Sequence, residues 1–553
     1  GKVRVDRNMV AGEEGEGRED GSIFDWTEGV GGEREYSGVL GGKEQVERGE
    51  DDSYVVQGVE EVGGVRGDGD SFRRKEEVGG ERGDSTFEVT EEDVRREFRK
   101  VHPRKAAGPD RIKPSILKSC ADQLAGIFCI LFNMSFSESR IPSLWKTSCI
   151  VPIPKKSSVI TMNDLRPVAL TSSVMKVFER FVLRRLQFLV RDFLDPLQFA
   201  YRSKRNVDDA VLYVLNKMYA HLDKTNTCIR LMFFDFSSAF NTMQCHLLVQ
   251  KLTGMNVDAR TVLWIFDYLT NRPQFVRLSK DIVSSTVYTN TGAPQGTVLS
   301  PFLFSLYTAD CRNTHESCPI VKFADDTGLT GLITDDDDNN YRQEIDRFVE
   351  WCDDNYLELN VSKTNEMIID FRKVKRVHDE IVIKGEVVER VSSYKYLGVV
   401  IDEKLSWREN TDHIVKKVHS RLYCLRKLRS FNVQQELLQM FYSSVVCSVM
   451  TFGLTCWGGS VSMQDRNRLD KNIKKASGVV GGKQDDIVTM YERLVTNKLT
   501  SVLDDDTHPL RPEFDSRLIE RSGRFRVPKA RTTRYMHSFI PTAIQTHNKL
   551  KSR

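Results

Sequence analysis

Two apolar runs that end in carboxylates constrain this chain more than any other feature. "CIRLMFFDF" (228–236) runs almost unbroken into Asp235, and "IVKFADDT" (320–327) runs into the adjacent pair Asp325 and Asp326. Short continuous apolar runs of this kind read as strands buried on both faces. Neighbouring carboxylates repel one another and raise each other's pKa, so something must offset them. Taken alone, the pair could be two solvated turn residues, because Asp favours turns. Two acid-ended strands, however, can bring three carboxylates to one point. Hard oxygen ligands suit magnesium, which keeps open positions for phosphates. Two such ions can activate an attacking hydroxyl and stabilise a leaving pyrophosphate, and their charge offsets the repulsion. The pattern points to phosphoryl or nucleotidyl transfer.

The charge distribution agrees with a polyanionic partner. Residues 1–90 hold 12 Lys and Arg against 24 Asp and Glu, so of the 81 and 78 in the whole chain the remainder hold 69 and 54. A basic body of this size favours a nucleic acid or similar polyanion. Eleven cysteines lie scattered without CxxC pairs or Cys/His ligand spacing, which reads as reduced thiols in an intracellular protein without a zinc module. The sequence does not choose between nucleus and cytoplasm. The opening "GKVRVDRNMV" lacks the apolar core of a signal peptide, and a start at Gly suggests a fragment. The uncharged run "LLQMFYSSVVCSVMTFGLTCW" (437–457) is long enough to span a bilayer. Its interspersed Gln, Ser and Thr make it a buried helix followed by a Gly-containing turn, and no membrane contact is expected.

Several segments can be placed along the chain. Residues 1–85 are rich in Gly and acids, have little to bury, and are expected to be disordered. Order is expected to begin at "FEVTEEDVRREFRKV", where Thr90 and Asp93 form a capping box. "WKTSCIVPIPKK" reads as a strand ending in a basic hook, Lys155-Lys156, and "SSVMKVFERFVLRRLQFLV" as a helix. The run "TDDDDNN" (334–340) is expected to be a solvated loop, and residues 405–480 are mainly helical in pattern.

The ordered set "FFDFSSAF", "TGAPQGTVLSPFLFSLY" and "FADDT" resembles the palm motifs of reverse transcriptases. Around it, "RKAAGPD", "WKTSCIVPIPKK", "NDLRPVALTS", "QFAYRSKRNVDDA", "LELNVSKTNEM" and "YKYLGVVID" resemble the fingers and palm blocks of non-LTR, LINE-type retrotransposon polymerases. The tail "HPLRPEFDSRLIERSGRFRVPKARTTRYMHSFIPTAIQ" is similar to the end of vertebrate elements of that kind.

This resemblance implies an α+β right-hand polymerase with an antiparallel palm sheet. Fingers and palm would occupy 86–400, a helical thumb-like region 401–500, and a basic C-terminal tail 501–553. It implies two magnesium ions, with manganese as a substitute, held by Asp235, Asp325 and the Phe236 backbone, with Asp326 in support. RNA template, DNA primer and dNTPs would be the partners, with no obligate protein partner evident. Phe240 would be the steric gate that rejects a 2′-hydroxyl by clash, unless it is a core aromatic. Gln295 and Gly296 would line the nascent base pair, glycine allowing close backbone approach to the template; on its own this segment also reads as a plain turn before a helix. Lys363 would sit near the triphosphate, or be a solvated lysine.

Arg202, Lys204 and Arg205 would meet triphosphate or template, and Arg166 the template. Tyr396, Leu397 and Gly398 would form the primer grip. Arg468, Lys471 and Lys475 on one helical face would track the primer–template backbone. An RNA-dependent RNA polymerase would place a polar acid near position 240, so Phe240 argues for DNA synthesis. The family's endonuclease, a terminal zinc knuckle and an RNase H signature are not visible. An inactive remnant that only binds nucleic acid is the competing expectation.

Overall fold

The computed structural model describes residues 87–552 apart from Lys156 and Lys375. The expected disordered segment 1–85, and Lys156 of the basic hook, lie outside the described residues. The first helix, Glu91–Lys100, starts as its sequence predicts: Asp93 N donates to Thr90 Oγ1 (3.2 Å) and Thr90 N to Asp93 Oδ2 (3.3 Å). Two of the four orphan amide donors of the helix start are satisfied this way.

Two sheets organise the described residues up to about 390. The smaller contains β1 (Ser148–Pro154), β2 (Leu165–Leu170), β4 (Arg272–Val276) and β5 (Val287–Thr289), in the order β2-β1-β4-β5. The central sheet contains β3 (Thr227–Phe234), β6 (Ile320–Phe323), β7 (Asp326–Thr334) and β8 (Asn365–Ile369), with the short strand Glu389–Arg390 at its edge. β3 lies in the middle, antiparallel to β7 on one side and β8 on the other. All eight of its residues are buried.

The alternation of a strand explains that burial. Cys228, Met232 and Phe234 point into one core, shared with Phe304, Phe348 and the N-terminal helices. Ile229, Leu231 and Phe233 point into the other, shared with the helix Val207–Leu222 and the C-terminal helices. Arg230 interrupts the run. It is fully buried, and its guanidinium pairs with Glu366 (2.7 Å) and with Asp338. The loop 334–340 is largely solvated, as its composition suggests, but two of its acids are tied down. Asp336 pairs with Arg372 (2.5 Å) and Arg376 (3.0 Å), and Asp338 also binds Arg342 (3.0 Å).

Beyond the sheets the chain is mainly helical, as expected. Gln435–Ser460 is long and apolar enough to cross a membrane by length and composition. Here one stripe of it, Leu438, Tyr442, Val446, Met450 and Leu454, is buried in the second core. The helix breaks at Gly453, whose φ of +60° ends it. Residues 501–553, expected as a basic tail, pack closely instead. Phe514, Phe525, Phe539, Ile540 and Ile544 complete the second core.

Candidate active site

The central sheet assembles the three carboxylates by register alone. The β3–β7 ladder ends at Phe234 opposite Thr327. One step further sets Asp235 opposite Asp326. β6 and β7 form a hairpin whose last pair is Phe323 and Asp326, leaving Ala324 and Asp325 as its turn. Asp235, Asp325 and Asp326 thus share one end of the sheet, at the mouth of a buried central strand.

Electrostatics records the crowding. Asp326 is pushed up to about 6, chiefly by desolvation and then by the charges of Asp325 and Asp235. Asp325 is raised by desolvation and by Asp235. Both side chains touch solvent, so the cleft is open while the surrounding protein still removes much of their water. Asp235 Oδ2 is buried without a hydrogen-bond partner. The Lys363 ammonium stands 3.7 Å from it, an ion pair too long for a hydrogen bond. The backbone around Asp235 is fixed by Asn360 N donating to Asp235 O and Ser237 N donating to Glu358 O, both 2.8 Å.

Three oxygen-only side chains, one with an orphaned buried oxygen, fit a hard divalent cation in chemistry. Among the described residues no group of three such side chains stands close enough to hold an ion ready-made. The carboxylates would have to draw together on binding.

Phe240 lies near this site in the chain fold. Its ring stacks on Phe304 at 4.6 Å, and its carbonyl accepts from Ala293 N (2.8 Å), so the "GAPQG" loop is tied to it. Gly296 has φ +97°, and an added Cβ would lie 3.0 Å from Ala169 O of β2. The close approach that glycine permits here is to β2. Gln295 O accepts from Ala169 N (3.0 Å), closing the same contact. Arg166, also on β2, pairs across to Ile153 of β1, and its side chain has no hydrogen bond or ion pair among the described residues.

Other expected contacts are placed elsewhere. Lys204 Nζ donates to Asp504 O (3.0 Å). Arg205 is buried against Asp505 (3.3 Å) and Thr507. Arg202 donates to Asp195 O (2.9 Å), and burial, then Arg205, lowers its pKa to about 10. The 195–196 loop and the C-terminal region hold these three cations before any substrate does. Tyr396 is buried beneath Gly328, where an added Cβ would lie 3.4 Å from its hydroxyl, so it is a core residue. Leu397 (φ +49°) and Gly398 (φ +90°) make the tight turn, and Gly398 packs on the Phe452 ring. On the helix Met463–Val480, Lys471 and Lys475 are exposed, but Arg468 is paired with Asp412 (2.6 Å) and Asp465 (2.8 Å).

Residues 153–401 match the family described as "Reverse transcriptase (RNA-dependent DNA polymerase)". The probable RNA-directed DNA polymerase from transposon BS of Drosophila melanogaster is 24% identical over 66% of this chain and 42% of its own length. The RNA-directed DNA polymerase from mobile element jockey of Drosophila funebris is 26% identical over 60% of this chain and 37% of its own. Residues 153–401 are a reverse transcriptase domain similar to those of LINE-type elements. The chain spans about two fifths of the length of these relatives. Residues 407–448 also match the family "Alkylated DNA repair protein alkB homolog 8, N-terminal". Among solved structures, apo telomerase from Candida tropicalis is similar at 11% identity and a TM-score of 0.33, over 53% of this chain and 59% of that one.

The reverse transcriptase domain contains site residues that motif reading passes over. Tyr201 and Tyr394 are both pushed up to about 12, by desolvation first and then by the active-site carboxylates. Tyr394 stacks on Phe233 at 3.9 Å. Glu179 is fully buried behind the "PQGTVLSP" segment and accepts from Val298 N (2.5 Å), Leu299 N (3.1 Å) and Tyr268 Oη (3.1 Å). Lys322 is buried inside β6 and pairs with Asp195 at 2.8 Å. A lysine within an apolar run was the available signal for that pair, because a buried ammonium needs a partner.

Proposed function

We propose that this chain is an RNA-directed DNA polymerase that extends a DNA primer on an RNA template with dNTPs. The primer 3′-oxygen attacks the α-phosphorus, the bond to the bridging oxygen breaks, and pyrophosphate leaves while the hydroxyl proton passes to solvent. The observation that carries this reading is the register that sets Asp235 opposite Asp326, with Asp325 in the adjoining turn. Asp235 and Asp325, with the Phe236 carbonyl, would hold magnesium or manganese, and Asp326 would add charge. When bound, such ions supply the positive charge that makes a hydroxyl nucleophilic and offsets a leaving pyrophosphate.

The chain's own groups do the positioning. Lys363, already 3.7 Å from Asp235, is in reach of a triphosphate bound there. Phe240 is held by Phe304 and the Ala293 amide, a rigid ring suited to excluding a 2′-hydroxyl. Arg166, unpaired among the described residues, is a cation on β2 for template or triphosphate. Lys471 and Lys475 would meet phosphates without reading bases.

Primer extension by the full chain on an RNA template tests the reading. The expected result is extension with dNTPs and magnesium, absent with rNTPs and abolished in Asp325→Asn. No extension, with salt-sensitive RNA binding retained, would identify an inactive remnant that only binds nucleic acid.

A further inference from the structure

We propose that Gln198 is the positioning residue for the Ala324–Asp325 turn, and that the C-terminal segment 504–507 keeps it in place through Arg205. The catalytic part of this proposal rests on the polymerase reading above; the structural part does not.

The turn needs an external hold. Ala324 has φ +58°, a left-handed conformation that favours glycine and that alanine adopts at a cost. Strain of this kind persists only when the surroundings over-determine it. Gln198, 3% exposed, supplies that determination. Its Nε2 donates to Ala324 O (3.2 Å), and its Oε1 accepts from Ala324 N (3.1 Å) and from Ala200 N (3.0 Å). One amide thus satisfies both backbone groups of the strained residue. The adjacent residue in the chain is Asp325, so the placement of that carboxylate follows from the placement of Ala324.

Gln198 is itself fixed. Its loop runs parallel to the edge of β6: Phe199 N donates to Lys322 O and Lys322 N to Leu197 O, both 2.9 Å. The buried Lys322–Asp195 pair locks the start of the loop to the same strand. Arg205 then spans two regions far apart in sequence. One nitrogen of its guanidinium donates to Pro196 O (2.9 Å), two residues before Gln198, and another to Thr507 O (2.6 Å) and Thr507 Oγ1 (2.8 Å). Asp505 faces the same group at 3.3 Å. A path of polar contacts, buried from Arg205 inward, therefore runs from the C-terminal region to the turn that carries Asp325. Gln198 reaches no substrate in this arrangement and acts through Ala324.

The test is hydrogen exchange by mass spectrometry on the full chain without nucleic acid, read on peptides covering 320–331, together with primer-extension kinetics. Gln198→Met keeps the side-chain volume and removes all three hydrogen bonds. The Ala324 amide is expected to exchange at least about tenfold faster in it than in wild type. The expected kinetic signature is a loss of about tenfold or more in kcat, with KM for dNTP changed less than about threefold. Asp505→Asn, on the outer loop, is expected to accelerate the same amide with Gln198 intact, and it serves as the readout if Gln198→Met fails to fold.

Unchanged exchange at Ala324 in a folded Gln198→Met protein overturns the positioning role, as does an effect on KM alone. Unchanged exchange in Asp505→Asn overturns the C-terminal link. If wild type extends no primer yet its exchange responds as expected, the polymerase reading falls while the positioning of the turn stands.

Discussion

Removing one carboxylate from the cluster should make the metal-free protein more stable, and only at high pH. Asp326 is raised from 3.8 to about 6 by desolvation, Asp325 and Asp235. The groups facing it are those two acids, the ring hydroxyls of Tyr394, Tyr396 and Tyr201, and Lys363 beside Asp235. Because the folded state holds this proton more tightly than the unfolded chain, stability falls as pH rises from 3.8 to about 6, and the penalty is complete above that.

A rise of this size corresponds to about 3 kcal/mol, which the solvent contact of an exposed carboxylate cuts to about 1 kcal/mol. In EDTA at pH 8, Asp326→Asn is therefore expected to gain about 1 kcal/mol, or about 1 °C in Tm for a chain of this size. The gain should shrink steadily below pH 6. Magnesium should reverse the order at pH 8, stabilising wild type more than the variant. Denaturant titrations at pH 5 and pH 8, with and without magnesium, measure all four numbers. A variant no more stable than wild type at pH 8, or equally stabilised at both pH values, would refute the argument that these carboxylates crowd one another.

Phe240→Ala is expected to admit rNTPs while retaining dNTP use, measured as the ratio of kcat/KM for the two substrates in primer extension. Gly331→Ala would put a Cβ 2.5 Å from Cδ2 of the fully buried Tyr341, so it should cost about 1–3 kcal/mol in a denaturation series. Gly254→Ala, with nothing within 4 Å at the end of its helix, should instead be neutral or gain about 0.5 kcal/mol. Lys498 and His508 both face buried Asp209, at 2.8 Å and 3.2 Å, so Lys498→Met should destabilise by about 3 kcal/mol at pH 7, read in the same titrations.

What could be read from the sequence was what periodicity and chain position encode. The central strand wrote itself as an apolar run because both its faces are buried, and the acids that end it follow from where the ladder stops. The capping box at Thr90 is local, and it formed. Two of the misplaced contacts join groups far apart in sequence. Lys204 and Arg205 stand just before Asp208 and Asp209 in sequence, yet the groups that hold them lie 300 and more residues on, in a segment expected to be a tail. Asp336 and Asp338 looked solvated because Arg372 and Arg230, which pair with them, stand far away in sequence. Tyr394 and Tyr396 share a strand face and both feel the acids' charge, but Tyr396 is sealed beneath Gly328 while Tyr394 stays half-buried. The same logic narrows the search for nucleic-acid contacts. A cation already satisfied by a buried acid must break that pair before it can meet a phosphate, at the cost of leaving the acid uncompensated. Arg205 and Arg468 carry that cost. Arg166, Lys471 and Lys475, whose side chains are unpaired among the described residues, do not, and are therefore where a phosphate backbone can bind at least energetic expense.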